Sequence, residues 1–126
     1  MIDPSQRRYF PGRLDRKIDD RKERFASLNS FVRERGGWLT SVPGAATVTM
    51  ACLPDSPIPD RLRDLGYVVE QIGVSESILP FSVTERFTRG PGGELRHITP
   101  GSTEAVVETR HHAGITKVLQ FEFDIP

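Results

Sequence analysis

The sequence predicts an α+β domain in which a long N-terminal helix packs on an antiparallel or mixed sheet of five or six strands, with one short helix. Three observations carry this reading. Apolar residues recur at helical spacing over residues 15–35. Runs rich in β-branched and aromatic residues follow, alternating with polar ones, and Gly/Pro clusters punctuate them.

At 126 residues the chain suits one domain, and a domain near this size buries roughly two-thirds of the surface its unfolded chain exposes. Apolar residues at 37% against 27% charged suffice for a core, which excludes the disordered class.

Residues 1–14 read as an arm, flexible or docked, and residues 15–126 as the α+β domain. Pro4, Pro11 and Gly12 interrupt any regular element in the arm, and Arg7, Arg8, Tyr9, Phe10 and Arg13 lie among them. The helix follows. Leu14, Ile18, Phe25, Leu28 and Val32 form its apolar stripe, widened by Phe31. Asp15, Asp19 and Asp20 near the start and Arg33 and Arg35 near the end match the helix dipole, while Gly36-Gly37 supplies a left-handed stop. Arg21 alone breaks the apolar seam.

Residues 38–42 and 47–53 predict a hairpin around Pro43-Gly44, with Val48, Met50 and Cys52 on one face. In the next segment Ser56 caps a short helix, Pro57 or Pro59 sits in its first turn, and Gly66 closes it. Ile58, Leu62 and Leu65 are expected to face the core. Residues 67–72 read as a third strand. Residues 81–89 and 94–98 form a second hairpin tipped by Gly90-Pro91-Gly92-Gly93, with Phe81, Val83, Phe87 and the charged Glu85 on one face. Residues 104–112 suit a strand through Val106, Val107 and Thr109, or a helix capped by Ser102 or Thr103; the strand is favoured. Residues 115–123 close the chain as a strand with Leu119, Phe121 and Phe123 inward.

The residue types that carry chemistry do not assemble into a catalytic set. Three imidazoles, His97, His111 and His112, match the ligand number of an open zinc site. Adjacent side chains of a strand point to opposite faces, so His111 and His112 do not share an ion, and no metal or cofactor is expected. Cys52 ends an apolar set where a small buried hydrophobe is the ordinary role. The glycine-rich tip lacks the lysine of a phosphate-binding loop, Ser41 and Ser56 sit in no nucleophile elbow, and Asp55, Asp60 and Asp64 solvate a short helix. An enzyme would need Cys52 or His97 hydrogen-bonded to a carboxylate in a deep pocket.

Binding surfaces remain. The net charge is zero, yet residues 1–37 hold ten Lys/Arg against six Asp/Glu, a surplus of +4 mirrored by −4 in the rest. The sequence therefore favours a small non-catalytic binding or regulatory module that contacts nucleic acid or nucleoprotein. The residues concerned are Arg7, Arg8, Tyr9, Phe10, Arg13, Arg16, Lys17 and Arg21, on the arm and first helix. The alternative is a protein-interaction module, an adaptor, inhibitor or homo-oligomer, working through an exposed sheet edge or a patch of Trp38, Phe81, Phe87, Phe121 and Phe123. One cysteine, no signal-peptide pattern and no membrane-length apolar run lead to the expectation of a cytoplasmic protein without a membrane partner.

Overall fold

The structure, a computed structural model, describes residues 13–125. Helix α1 spans Arg13–Glu34, so it begins two residues before the expected start. Of the predicted stripe, Phe25, Leu28 and Val32 are buried, Phe31 packs against them and Ile18 is half-buried, while the side chain of Leu14 lies outside the described residues. The stop is the predicted one as well. Gly36 adopts φ +87°, its N–H bonds to the Arg33 carbonyl at 3.2 Å, and the Gly37 N–H bonds to the Val32 carbonyl at 3.0 Å, satisfying carbonyls the helix leaves free.

Strands β1 (Trp38–Leu39) and β2 (Thr47–Cys52) form the first hairpin, with Trp38 opposite Ala51 and Leu39 opposite Met50. β1 stops short of the expected residue 42. The Ser41 hydroxyl, rather than a main-chain carbonyl, accepts the Thr49 N–H at 3.1 Å, and Pro43 brings no N–H to extend the ladder. Helix α2 spans Ile58–Asp64; Ser56 Oγ accepts the Ile58 N–H at 3.2 Å and Pro59 lies in the first turn. It ends as α1 does, with Gly66 at φ +98° and the Tyr67 N–H on the Leu62 carbonyl at 3.1 Å. Ile58 and Leu62 are fully buried, but Leu65 is 60% exposed, contrary to expectation, because it is the capping residue and the chain turns away there.

Strands β3 (Glu70–Ile78), β4 (Val83–Arg89), β5 (Leu95–His97), β6 (Glu108–His112) and β7 (Ile115–Asp124) complete the domain. The class is α+β, but the expected single sheet of five or six strands is corrected: seven strands form two antiparallel sheets, ordered β1-β2-β7-β3 and β5-β4-β6. β3 runs on past residue 72 because it pairs with β7 along its length, through a bulge between Gln71 and Gly73. Pro80 then interrupts the chain at a bend, and β4 starts a new sheet. The stretch 104–112 contributes a strand only over its last five residues.

α1 and α2 cover one face of the four-stranded sheet over a core that includes Phe25, Val32, Met50, Leu62, Phe121 and Phe123. A smaller cluster of Leu53, Leu79, Val83 and Val118, joined by Trp38 and Phe81, ties in the second sheet. Alternation along β7 sends Leu119 to the first cluster and Val118 to the second, so that strand is a shared wall.

Candidate functional site

Period-two alternation puts Val83, Glu85 and Phe87 of β4 on one face of the second sheet. Val83 and Phe87 are buried, and a carboxylate between them is costly unless it finds donors. It finds two. β5 sets His97 opposite Phe87, β6 sets His112 opposite Val83, and each lies diagonally from Glu85. His97 Nε2 is 2.7 Å from Glu85 Oε2 and His112 Nε2 is 2.7 Å from Glu85 Oε1. A carboxylate only accepts, so both Nε2 atoms carry the proton and both imidazoles donate. The carboxyl side chain is 9% exposed and the imidazoles are about a quarter exposed, 24% and 26%.

The expected divergence of His111 and His112 is present. His111 turns to the opposite face, where its Nδ1 lies 3.0 Å from Thr84 Oγ1. His97 also packs on Phe87, ring centroids 4.4 Å apart, and the Arg110 guanidinium lies 4.6 Å over the same ring. Beside His97 is a cleft of about 220 Å³ with Arg35, Arg61, Arg86 and the 99–102 turn in its wall. Arg96 donates to Glu104, and this hydrogen bond holds the Glu104 carboxyl below its ordinary range, pinning the long connection after β5.

Chemically, the cluster is a pair of oriented imidazoles whose Nε2 atoms are occupied. Both carboxylate oxygens are engaged, and among the described residues no three His, Cys, Asp or Glu side chains are arranged around a common point for a metal ion. His97 does meet a carboxylate, the hydrogen bond an enzyme would need, and Glu85 and His97 both line the cleft of about 220 Å³; among the described residues no hydroxyl or thiol is hydrogen-bonded to His97 or His112. A wider cleft of about 680 Å³, with Arg24, Tyr67, Val68, Glu122 and Asp124 in its wall, contains none of the imidazoles.

Comparison with protein-family models, with curated proteins and with solved structures finds no match. The reading therefore rests on the chain's own residues.

Of the residues singled out for binding, Arg7, Arg8, Tyr9 and Phe10 lie outside the described residues, as do the side chains of Arg13 and Lys17. Arg16 is exposed on α1. Arg21 is half-buried, its Nε donating to the Gly44 carbonyl at 2.9 Å, which explains a cation on the apolar seam: it staples the helix to the first hairpin turn. Of the aromatic residues considered for a surface patch, Phe87, Phe121 and Phe123 are buried, and Trp38 packs edge-on against Phe81 at 6.0 Å. Among the described residues no helix is long and apolar enough to cross a membrane.

Cys52 is fully buried. Burial pushes its thiol up to about 11, against a smaller opposing pull from the Ser56 hydroxyl. The folded chain holds this proton more tightly than the unfolded one. The stabilisation is thus complete below the thiol's ordinary value of 9.0 and is lost as pH rises towards about 11. The loss amounts to roughly 2 kcal/mol by pH 11. Urea unfolding between pH 8 and 11 should show a difference of that size between the native chain and Cys52→Ala; parallel pH profiles would contradict the assignment.

The structure also exposes a surface that composition did not locate. Ile72, Val74, Ile78 and the adjoining Ile115 are 49%, 52%, 73% and 70% exposed, all on β3 or on β7 beside it. Register places Val74 beside Leu119, Glu76 beside Lys117 and Ile78 beside Ile115 on one face. The Leu79 N–H bonds to the Gly114 carbonyl at 2.8 Å, so alternation turns the main-chain groups of residues 75 and 77 towards β7 and those of Val74, Glu76 and Ile78 outward. Among the described residues β3 has one neighbour, β7, and these outward groups form an open edge.

Proposed function

We propose that this chain is a non-catalytic protein-interaction module that adds an extended strand of a partner to the outer edge of β3. The supporting observation is the contrast among its edges. β1 has two residues, β5 has three, and β6 has five with Glu108, Arg110 and two histidines among them, all blunted in the ways that discourage pairing. β3 has nine residues, its charges being Glu70 and Glu76 and its bulge lying between Gln71 and Gly73, so that Val74–Ile78 is a regular five-residue edge flanked by exposed Ile72, Val74 and Ile78. Main-chain donors and acceptors supply the affinity in such an addition, and side chains on alternate positions select the partner.

A photoreactive residue at position 78 of the intact chain should give an adduct in cells that mass spectrometry maps to an extended segment. Val74→Pro removes an outward N–H and no bond of the chain's own ladder, so it should abolish the adduct while the fold persists by circular dichroism. An adduct unaffected by Val74→Pro, or none at all, overturns the proposal. The basic arm with Arg16 is the competing surface for nucleic acid. A labelled oligonucleotide whose affinity falls steeply with salt and drops in an Arg7→Ala, Arg8→Ala, Arg13→Ala chain, with no adduct at position 78, would favour that reading.

A further inference from the structure

Several arginines are committed to close partners. Arg63 donates to Asp60 Oδ1 at 3.0 Å and to the Val69 carbonyl at 2.9 Å, Arg96 donates to Glu104, and Arg110 donates to Glu108 at 2.7 Å. Three others have donors to spare, and all three line the cleft of about 220 Å³ beside His97. Arg86 is exposed, and its guanidinium makes no hydrogen bond or ion pair among the described residues. Arg61 has a carboxylate oxygen of Asp64 at 4.0 Å, beyond hydrogen-bond reach. The Arg35 side chain is only 17% exposed, yet one of its five N–H groups is used, on the Phe31 carbonyl at 2.9 Å, with Glu34 at 3.6 Å. Among the described residues no buried side-chain nitrogen lacks a partner, so the unused Arg35 N–H groups stay open to solvent, at the cleft this residue lines.

We propose that this cleft binds the phosphate group of a phosphate monoester, held by Arg35, Arg61 and Arg86. The proposal is separate from the β3 edge, no residue of Val74–Ile78 being in the cleft wall. Three elements bring the arginines together: Arg35 follows the end of α1, Arg61 lies on α2 and Arg86 on β4. The remaining wall is the 99–102 turn, closed by the Ser102 N–H on the Thr99 carbonyl at 3.0 Å with Gly101 at φ +83°. Glu104 accepts from both Arg96 and the Ser102 hydroxyl and so fixes that turn. The walls are in place before a ligand arrives, which keeps the ordering cost of binding small.

Charge and shape select the ligand. Two acids line the cleft. Glu85 is 9% exposed with both oxygens taken by imidazole N–H groups. Glu34 is 65% exposed, and an exposed contact at 3.6 Å holds Arg35 weakly. The three guanidinium groups therefore keep capacity for an outside anion. A planar carboxylate is satisfied by one guanidinium fork lying in its own plane, whereas a tetrahedral dianion offers oxygens to donors approaching from three elements. The volume sets the size. At about 220 Å³ the cleft is smaller than the roughly 300–1,000 Å³ of sites for drug-sized ligands, so it suits a phosphate on a short carbon body rather than a nucleotide.

Nitrogen-15 spectra of the intact chain test this as inorganic phosphate or glycerol 3-phosphate is added to about 20 mM at constant ionic strength. The expected result is saturable shifts of the Arg35 and Arg61 Nε–H signals and of the main-chain N–H signals in the 99–102 turn, with a dissociation constant of about 1 mM and weaker binding of acetate. Arg61→Gln and Arg86→Gln alter exposed side chains and leave the core alone; each should weaken binding about tenfold. Arg16→Gln, which removes the same charge from an exposed position of α1, should leave it unchanged. A phosphoserine peptide that binds more tightly than glycerol 3-phosphate would name a phosphorylated chain as the source of the group, and the reverse order a small molecule. Shifts that fail to saturate, that chloride reproduces at equal ionic strength, or that Arg16→Gln reduces as much as Arg61→Gln overturn the proposal. So does acetate binding as tightly as phosphate.

Discussion

A Gly36→Ala chain should unfold with about 3 kcal/mol less stability than the native chain, whereas Gly66→Ala should lose only about 1 kcal/mol. Both glycines close a helix in the left-handed region, at φ +87° and +98°, so alanine meets the same backbone strain at either site. They differ in what surrounds the added methyl. At Gly66 no atom lies within 4 Å, but at Gly36 the new Cβ would sit 2.6 Å from Val83 Cγ1. Val83 is 4% exposed and belongs to the cluster joining the two sheets, and a β-branched side chain has few rotamers with which to retreat. The collision therefore pushes the end of α1 away from β4. Thermal melts should show Gly36→Ala about 10 °C below the native chain and Gly66→Ala a few degrees below it. Equal losses would mean that the packing at Gly36 contributes nothing and only the turn matters.

That pairing of glycines shows what the sequence can and cannot tell. Gly36-Gly37 after a periodic stripe identifies a helix stop because the requirement is local: a carbonyl left over and a positive φ. The stripe, the glycine stop of α2 and the alternation of β2 and β7 are legible for the same reason, whereas the N-cap of α2 is Pro57 rather than Ser56. The contact between Gly36 and Val83 joins positions far apart in the chain, and no local pattern encodes it. The length of β3 escapes the sequence on similar grounds. Residues 73–77 read Gly-Val-Ser-Glu-Ser, with one β-branched residue, yet β7 supplies a partner for each of them and tertiary pairing overrides weak propensity. The edge of β3 was foreseen as a kind of surface but not placed, since the exposure of an edge depends on which strand lies outermost. The Glu85 cluster is an intermediate case. An acid alternating with Val83 and Phe87 is a local signal that a donor must be supplied from elsewhere. The sequence offers His97 and His112 as zinc ligands and His97 also as an imidazole bonded to a carboxylate, but which carboxylate it meets depends on the pairing of β5 and β6 with β4.

Removing that carboxylate is the second large effect expected. Glu85 accepts from His97 and His112 at 2.7 Å each, at 9% exposure, and in doing so ties β5 and β6 to β4 by side chains as well as by the ladder. Hydrogen bonds to a charged acceptor contribute about 1.5–3 kcal/mol each, and the imidazoles, about a quarter exposed, recover part of the loss by turning to water. Glu85→Ala should therefore lose about 3 kcal/mol. Glu85→Gln discriminates the mechanism. Its amide has the size of the carboxyl but offers one acceptor and one donor, so it keeps both contacts only if one imidazole gives up its Nε2 proton and takes the Nδ1–H form. Nitrogen-15 spectra should show His97 and His112 both protonated at Nε2 in the native chain and one of them changed in Glu85→Gln, with His111, bonded to Thr84 on the other face, unaltered. A double-mutant cycle between Glu85→Ala and His112→Ala should return a coupling of about 1–3 kcal/mol. Additive losses together with unchanged tautomers would show that Glu85 is buried beside the histidines without being held by them. The two strands would then stay together through their main-chain ladders alone.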